Sequence, residues 1–254
     1  MMAERLLFMQ ASGIMGVTNQ SETGGCRAME PAREFTPSVV GDALPYLVDR
    51  DDQALHRPEA VVLQVDSTVS SLDGLGWLTA RRGAEMGHRL EALRKEAAAQ
   101  RWSWADLTRA RLKHLRPRRA EINELGAAYL AALAPGVVDA VAELRRAGVS
   151  IALASDLAAE ALFGVATALG VSPDELRAPR LRFDAIGAYV GCDFGVAYAS
   201  SPRTLFVGTR RSEHFAPRGT DAFIAYAGVI AREGPSDANA TVASFQDLTA
   251  LVLR

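Results

Sequence analysis

The chain has 254 residues, of which 49% are apolar and 23% charged, with a formal net charge of −2. That length holds one α/β domain with an inserted subdomain and a sizeable core, and the composition is that of an ordinary soluble globular protein. No apolar run approaches a membrane span, and Cys26 and Cys192 stand far apart with no Cys or His at metal-ligand spacing, so a membrane protein, a disulfide-stapled domain and a zinc site are all excluded.

Residues 1–57 carry Gly24-Gly25, Pro31, Pro37 and Pro45 without sustained periodicity. They read as an irregular N-terminal extension with a short helix near 44–48. Met9, Met15 and Met29 leave the start codon open. The patch Leu6-Leu7-Phe8-Met9 is too short for a signal peptide core and follows Glu4, so a cytoplasmic location is expected.

Residues 61–69, Val-Val-Leu-Gln-Val-Asp-Ser-Thr-Val, read as a buried strand ending in an acidic turn. A helical stretch of roughly sixty residues follows, at 73–133, with helix-period runs from Arg89 and from Ala105. Between Arg81 and Arg119 there are twelve Lys or Arg against four Asp or Glu. With no nucleic-acid-binding motif beside it, this stretch reads as a solvated helical face, and no nucleic-acid partner is expected.

Pro135-Gly136 ends the helical stretch, and strand–helix alternation begins. The pattern predicts a helix at 137–147, a strand at 149–154 and a helix at 158–169 closed by Gly170. A hairpin at 181–183 and 188–192, strands at 204–207 and 222–226, and a helix at 245–253 complete the order. Such alternation implies a parallel sheet wrapped by helices, with ligands at the carboxyl ends of the strands. The helical stretch should sit over that end. The expected organisation is thus an extension at 1–57, a core at 58–72 and 134–254, and a cap at 73–133.

Several strings carry a resemblance. They are Asp66-Ser67-Thr68-Val69, Arg111-Leu112, Pro135-Gly136-Val137 and Ala154-Ser155, then Leu181-Arg182-Phe183-Asp184 with Gly187-Ala188-Tyr189-Val190-Gly191, and Asp221-Ala222-Phe223-Ile224-Ala225-Tyr226. In this order and spacing the chain resembles the haloacid dehalogenase superfamily, and within it the phosphoserine phosphatases, from about residue 59 onward. The resemblance implies a Rossmann-like α/β core with a helical cap inserted after the first strand.

The resemblance also implies a chemistry. An Asp nucleophile forms an aspartyl-phosphate, and a second Asp two residues later moves the proton. A Ser or Thr ending the second strand holds a phosphate oxygen, a Lys neutralises charge, and a Gly-Asp-Gly turn adds a carboxylate for Mg²⁺. Here Asp66 matches the acid/base and Ser155 the hydroxyl. Gln64 stands at the nucleophile position, the metal turn reads Gly208-Thr209-Arg210, and the segment expected to supply Lys has none, Arg203 being its nearest cation. By the same resemblance Arg111 lies where a substrate carboxylate is gripped, and Asp73 where an acid faces the substrate amine.

Arg210 and Arg211 stand where the metal turn should be. Two readings are open for them: a metal-free anion pocket in which guanidinium replaces cation and Lys, or a solvated loop. The neighbouring Glu213 and His214 could join Asp66 in proton transfer, and Trp102 and Trp104 read as packing. The expected function is a phosphatase-like protein without Mg²⁺-dependent phosphomonoester hydrolysis, acting as a binding or regulatory protein for a small phosphate- or carboxylate-bearing, amino-acid-like metabolite and needing no cofactor. The alternatives are metal-independent chemistry with Asp66 as acid/base, and a residual phosphatase, in which case alone Mg²⁺ is expected.

Overall fold

A computed structural model describes residues 58–195, 203–210, 222–229 and 238–254. The expected N-terminal extension with its short helix, Cys26, Arg211, Glu213 and His214 all lie outside the described residues.

The apolar run after Glu59 forms β1, Ala60–Gln64, with Val61, Val62 and Leu63 fully buried. Strand pairing ends at Gln64, and the expected acidic turn follows. Ser67 adopts left-handed backbone with φ 56°, Ser67 N–H donates to Leu72 O at 3.0 Å, and Ser70 N–H donates to Val65 O at 3.0 Å. A non-glycine residue in that region costs roughly 1 kcal/mol, and here the turn presents Asp66 and Ser67 at the strand's carboxyl end.

Four helices follow: α1 Gly74–Ala80, α2 Ala84–Gln100, α3 Trp104–Leu115 and α4 Arg119–Ala131. Ser103 caps α3 by accepting from Asp106 N–H at 3.1 Å. Arg82, just past α1, grips Glu121 of α4 with two bonds of 2.6 and 2.7 Å, and Glu121 also accepts Arg118 N–H at 2.7 Å. The twelve basic residues of this region are thus partly tied into surface pairs, as Arg89–Glu85, Arg94–Glu91 and Arg109–Asp106 also show.

The alternation expected downstream is present. It runs α5 Val137–Arg146, β2 Ser150–Ala154 and α6 Ala159–Leu169, then β6 Thr204–Gly208, β7 Ala222–Tyr226 and α7 Phe245–Val252. Gly170 closes α6 at φ 65° as predicted. The hairpin is β4 Arg180–Phe183 with β5 Tyr189–Asp193. Two short strands, β3 Leu176–Arg177 and β8 Ala240–Val242, lengthen the sheet beyond the expected set.

The main sheet runs β3-β2-β1-β6-β7-β8, parallel throughout. The chain steps from β1 to one neighbour through β2 and to the other through β6, so the strand order reverses at β1. Such a switch point opens a crevice beyond the strands' carboxyl ends. The helices α1–α3 face that crevice, as a helical insertion after the first strand should. Helix α4 reaches back to α6 across Gly126, where an added Cβ would lie 3.1 Å from Ala161 O. No helix among the described residues is long and apolar enough to cross a membrane.

Candidate anion-binding site

A cleft of about 750 Å³ lies between the strand ends and α1–α3. Gln64, Asp66, Asp73, Arg111 and Arg210 all line it. Ser155 is buried behind Asp66 and touches it directly. Six residues expected from five stretches of sequence therefore meet at one place, Arg211 aside.

Asp66 is the centre of a hydrogen-bond cluster. Its Oδ2 accepts from Ser155 Oγ at 2.7 Å, and its Oδ1 accepts from Gly74 N–H at 3.0 Å and from the phenol of Tyr129. Burial pushes the Asp66 carboxyl above its usual range despite these three donors. Tyr129 is fully buried, and desolvation together with the Asp66 charge holds its phenol well above its usual range. Gly74 makes the cluster possible: a Cβ there would fall 1.9 Å from Tyr129 Oη and 3.0 Å from Asp66 Oδ1. Tyr129 and Gly74 carry no local motif and were missed by the sequence reading. Only the matched approach of α4 to the strand end reveals them.

Gln64 is also occupied. Its Oε1 accepts from Thr209 N–H at 3.1 Å, fastening the end of β1 to the turn after β6. Gly208 lets that amide lie close, since a Cβ at 208 would sit 2.4 Å from Gln64 Oε1. Ser155 Oγ both donates to Asp66 and accepts from Leu157 N–H at 3.2 Å. The position that resemblance associates with the nucleophile is thus bonded to the metal turn, and the phosphate hydroxyl to the acid/base. Among the described residues no group of three or more His, Cys, Asp or Glu is placed to hold a metal ion.

Helix α3 brings a buried cation to the cleft, which Arg94 of α2 and Arg210 also line. Arg111 is only 8% exposed, and its Nε has no hydrogen-bond partner among the described residues. One turn earlier Thr108, 2% exposed, likewise leaves Oγ1 unpartnered. Positions three apart share a helix face, and both residues line the cleft. Burial pushes the Arg111 guanidinium below its usual range, the nearby Asp156 and Asp73 charges opposing and the Arg210 and Arg94 charges reinforcing that shift. A buried Nε–H without an acceptor is costly, and an oxyanion in the cleft would supply one.

The remaining expected residues find other partners. Asp73 caps α1 by accepting from Leu75 N–H at 3.2 Å. Arg210 lies at the mouth of the cleft, 3.6 Å from Asp156 Oδ2, neither free on a loop nor deep in the pocket. Asp156 Oδ1 in turn accepts from Trp104 Nε1 at 2.7 Å, so this unpredicted acid connects α3 to the β6 turn. Trp104 also meets Phe194 edge-on at 5.2 Å, which fits its expected packing role. Arg203 is a correction: it precedes β6 at the opposite end of the sheet, 3.5 Å from Glu59, and cannot reach the cleft.

No family model matches the chain. Among curated proteins, phosphoserine phosphatase of Rattus norvegicus is 25% identical over 195 residues, covering 70% of this chain and 86% of that protein. Among solved structures, a phosphoserine phosphohydrolase-like protein from Francisella tularensis superposes with a TM-score of 0.64 at 17% identity, covering 76% of this chain and 99% of that one. A phospho-aspartyl intermediate analogue of phosphoserine phosphatase gives 0.57 at 16% identity, covering 77% and 99%. A HAD family hydrolase from Salmonella enterica gives 0.57 at 11% identity, covering 77% and 72%. The fold is that of the haloacid dehalogenase superfamily in its phosphoserine phosphatase-like form.

Proposed function

We propose that this chain uses a phosphoserine phosphatase-like fold to bind a small anionic metabolite, without Mg²⁺-dependent phosphomonoester hydrolysis. The carrying observation is the buried Arg111, whose Nε is unpartnered among the described residues on the wall of the cleft. Thr108 Oγ1 supplies a second donor on the same face.

The strand ends support the second half of the reading. An amide is a poor nucleophile, and Gln64 Oε1 already accepts from Thr209 N–H. Both oxygens of Asp66 are engaged by three donors. Mg²⁺ is held in octahedral array by one or two carboxylates completed by waters. Here an amide and Thr209 stand at two of the positions the resemblance gives to its carboxylates, and no group of three or more His, Cys, Asp or Glu among the described residues is placed to hold a metal ion. Losing a nucleophile commonly costs ~10⁴ to 10⁶ in rate. What stays is recognition.

The test is thermal denaturation with increasing O-phosphoserine or inorganic phosphate, for the natural chain and for Arg111→Met. A ligand at 100 times its Kd stabilises by about 2.7 kcal/mol. The natural chain should gain stability of that order at saturation, and Arg111→Met none. Equal response of both would remove Arg111 from the site and overturn the reading.

A second reading rests on Asp66, whose carboxyl is held above its usual range while it lines the cleft. Such a group can serve as acid/base for a metal-independent proton transfer. Its mark would be turnover of a carboxylated substrate, unaffected by chelator and lost in Asp66→Asn.

A further inference from the structure

Gly87 stands inside α2, where glycine is the least favourable residue after proline. Its backbone is ordinary helix, and a Cβ added there would meet only Thr79 Cγ2, at a comfortable 3.8 Å. Neither packing nor backbone conformation asks for glycine here, in contrast to Gly74 and Gly126, where a Cβ would lie 1.9 Å from Tyr129 and 3.1 Å from Ala161 respectively. What the missing side chain does leave is room: Gly87 lines the cleft.

The wall around it carries several apolar side chains, although Glu91 and Arg94 of α2 also border the cleft. Leu75 and Thr79 of α1, Gly87 and Leu90 of α2, and Leu112 of α3 all border the cleft. The Arg111–Thr108 pair supplies unpartnered buried donors on the same cavity. At about 750 Å³ the cleft falls in the upper part of the ~300–1,000 Å³ range that accommodates drug-sized ligands, well beyond a phosphorylated amino acid.

We infer that the ligand is an oxyanion carrying an apolar body, its head on Arg111 and Thr108 and its body against α1–α2 over Gly87. This rests on the anion-binding reading and extends it to the class of ligand. A polar head alone would leave the α1–α2 wall wet. An apolar group over Gly87 removes that surface from water, and a ring-sized group should tighten binding ~10- to 100-fold.

The test is calorimetric titration of the full chain with two matched pairs: methylphosphonate against phenylphosphonate, and acetate against phenylacetate. None of these is hydrolysed, and within each pair only the body differs. The expected result is that in the pair whose head binds, the phenyl member is at least about tenfold tighter. Gly87→Leu should erase that advantage and leave the methyl member within twofold, while Gly87→Ala, a helix-favouring change, should retain a native melt and lose only part of it. Equal affinity within the binding pair would overturn the inference and leave anion binding standing. An advantage that survives Gly87→Leu would also overturn it. Failure of all four probes would overturn the anion reading itself, and this inference with it.

Discussion

The phenol of Tyr129, on α4, donates to Oδ1 of Asp66 at the end of β1, joining residues 63 apart in sequence. That one bond ties the helical insertion to the strand end, and it exists because Gly74 leaves space for it. Replacing Gly74 by alanine should force Tyr129 away. An overpacked core position of this kind costs typically ~1–3 kcal/mol, to be read from urea denaturation. Tyr129→Phe should cost about 1 kcal/mol, the worth of a hydrogen bond, and Gly74→Ala in the Tyr129→Phe background should cost less than in the natural chain.

Asp66 carries a pH prediction. Its folded-state pKa is raised above 3.8, so between 3.8 and the folded value the folded chain holds more protons than the unfolded one. Its contribution to stability therefore declines as pH rises from 3.8 through the folded pKa. Asp66→Asn removes that slope. The stability difference, Asp66→Asn minus natural chain, should rise with pH through this window and be flat below it, as read from denaturant midpoints at a series of pH values.

Arg111 sets recognition against stability. Burying a charge without a full set of partners is costly, and at Arg111 desolvation outweighs the attraction of Asp156 and Asp73. Arg111→Met should keep the unliganded stability within about 1 kcal/mol of the natural chain, or raise it. It should also lose all stabilisation by phosphate or O-phosphoserine. A large loss of unliganded stability would mean that Arg111 holds the fold.

Asp156 connects Trp104 of α3 to Arg210 of the β6 turn. Asp156→Ala leaves the indole N–H without this acceptor, for a loss of roughly 1–2 kcal/mol. The tryptophan emission should shift accordingly, read as the difference spectrum against a Trp104→Phe chain treated in the same way.

The strand ends were legible in sequence because their residues lie beside apolar runs that only a buried parallel strand explains: Gln64 and Asp66 after Val61-Val62-Leu63, Ser155 after Ile151-Ala152-Leu153-Ala154. Arg111, Asp73 and Arg210 were placed by resemblance, and the cleft does gather them. Tyr129, Thr108, Asp156 and Gly87 were not legible. Each sits at an unremarkable helical or loop position, and its role depends on what another element brings within reach. β3 and β8 escaped for a different reason: at two and three residues they show no periodicity, and neighbouring strands rather than propensity make them strands. The strand ending in an acidic turn over 61–69 is present, but an apolar run does not reveal the left-handed Ser67 within that turn.

The central claim is anion recognition without metal-dependent hydrolysis. It is tested most directly by following phosphate release from O-phosphoserine and an aryl phosphate, with Mg²⁺ and then with chelator, while measuring O-phosphoserine affinity in the same samples. The account predicts binding that chelator leaves unchanged, and phosphate release no greater than that of Asp66→Ala. Mg²⁺-dependent turnover that Asp66→Ala abolishes would contradict it.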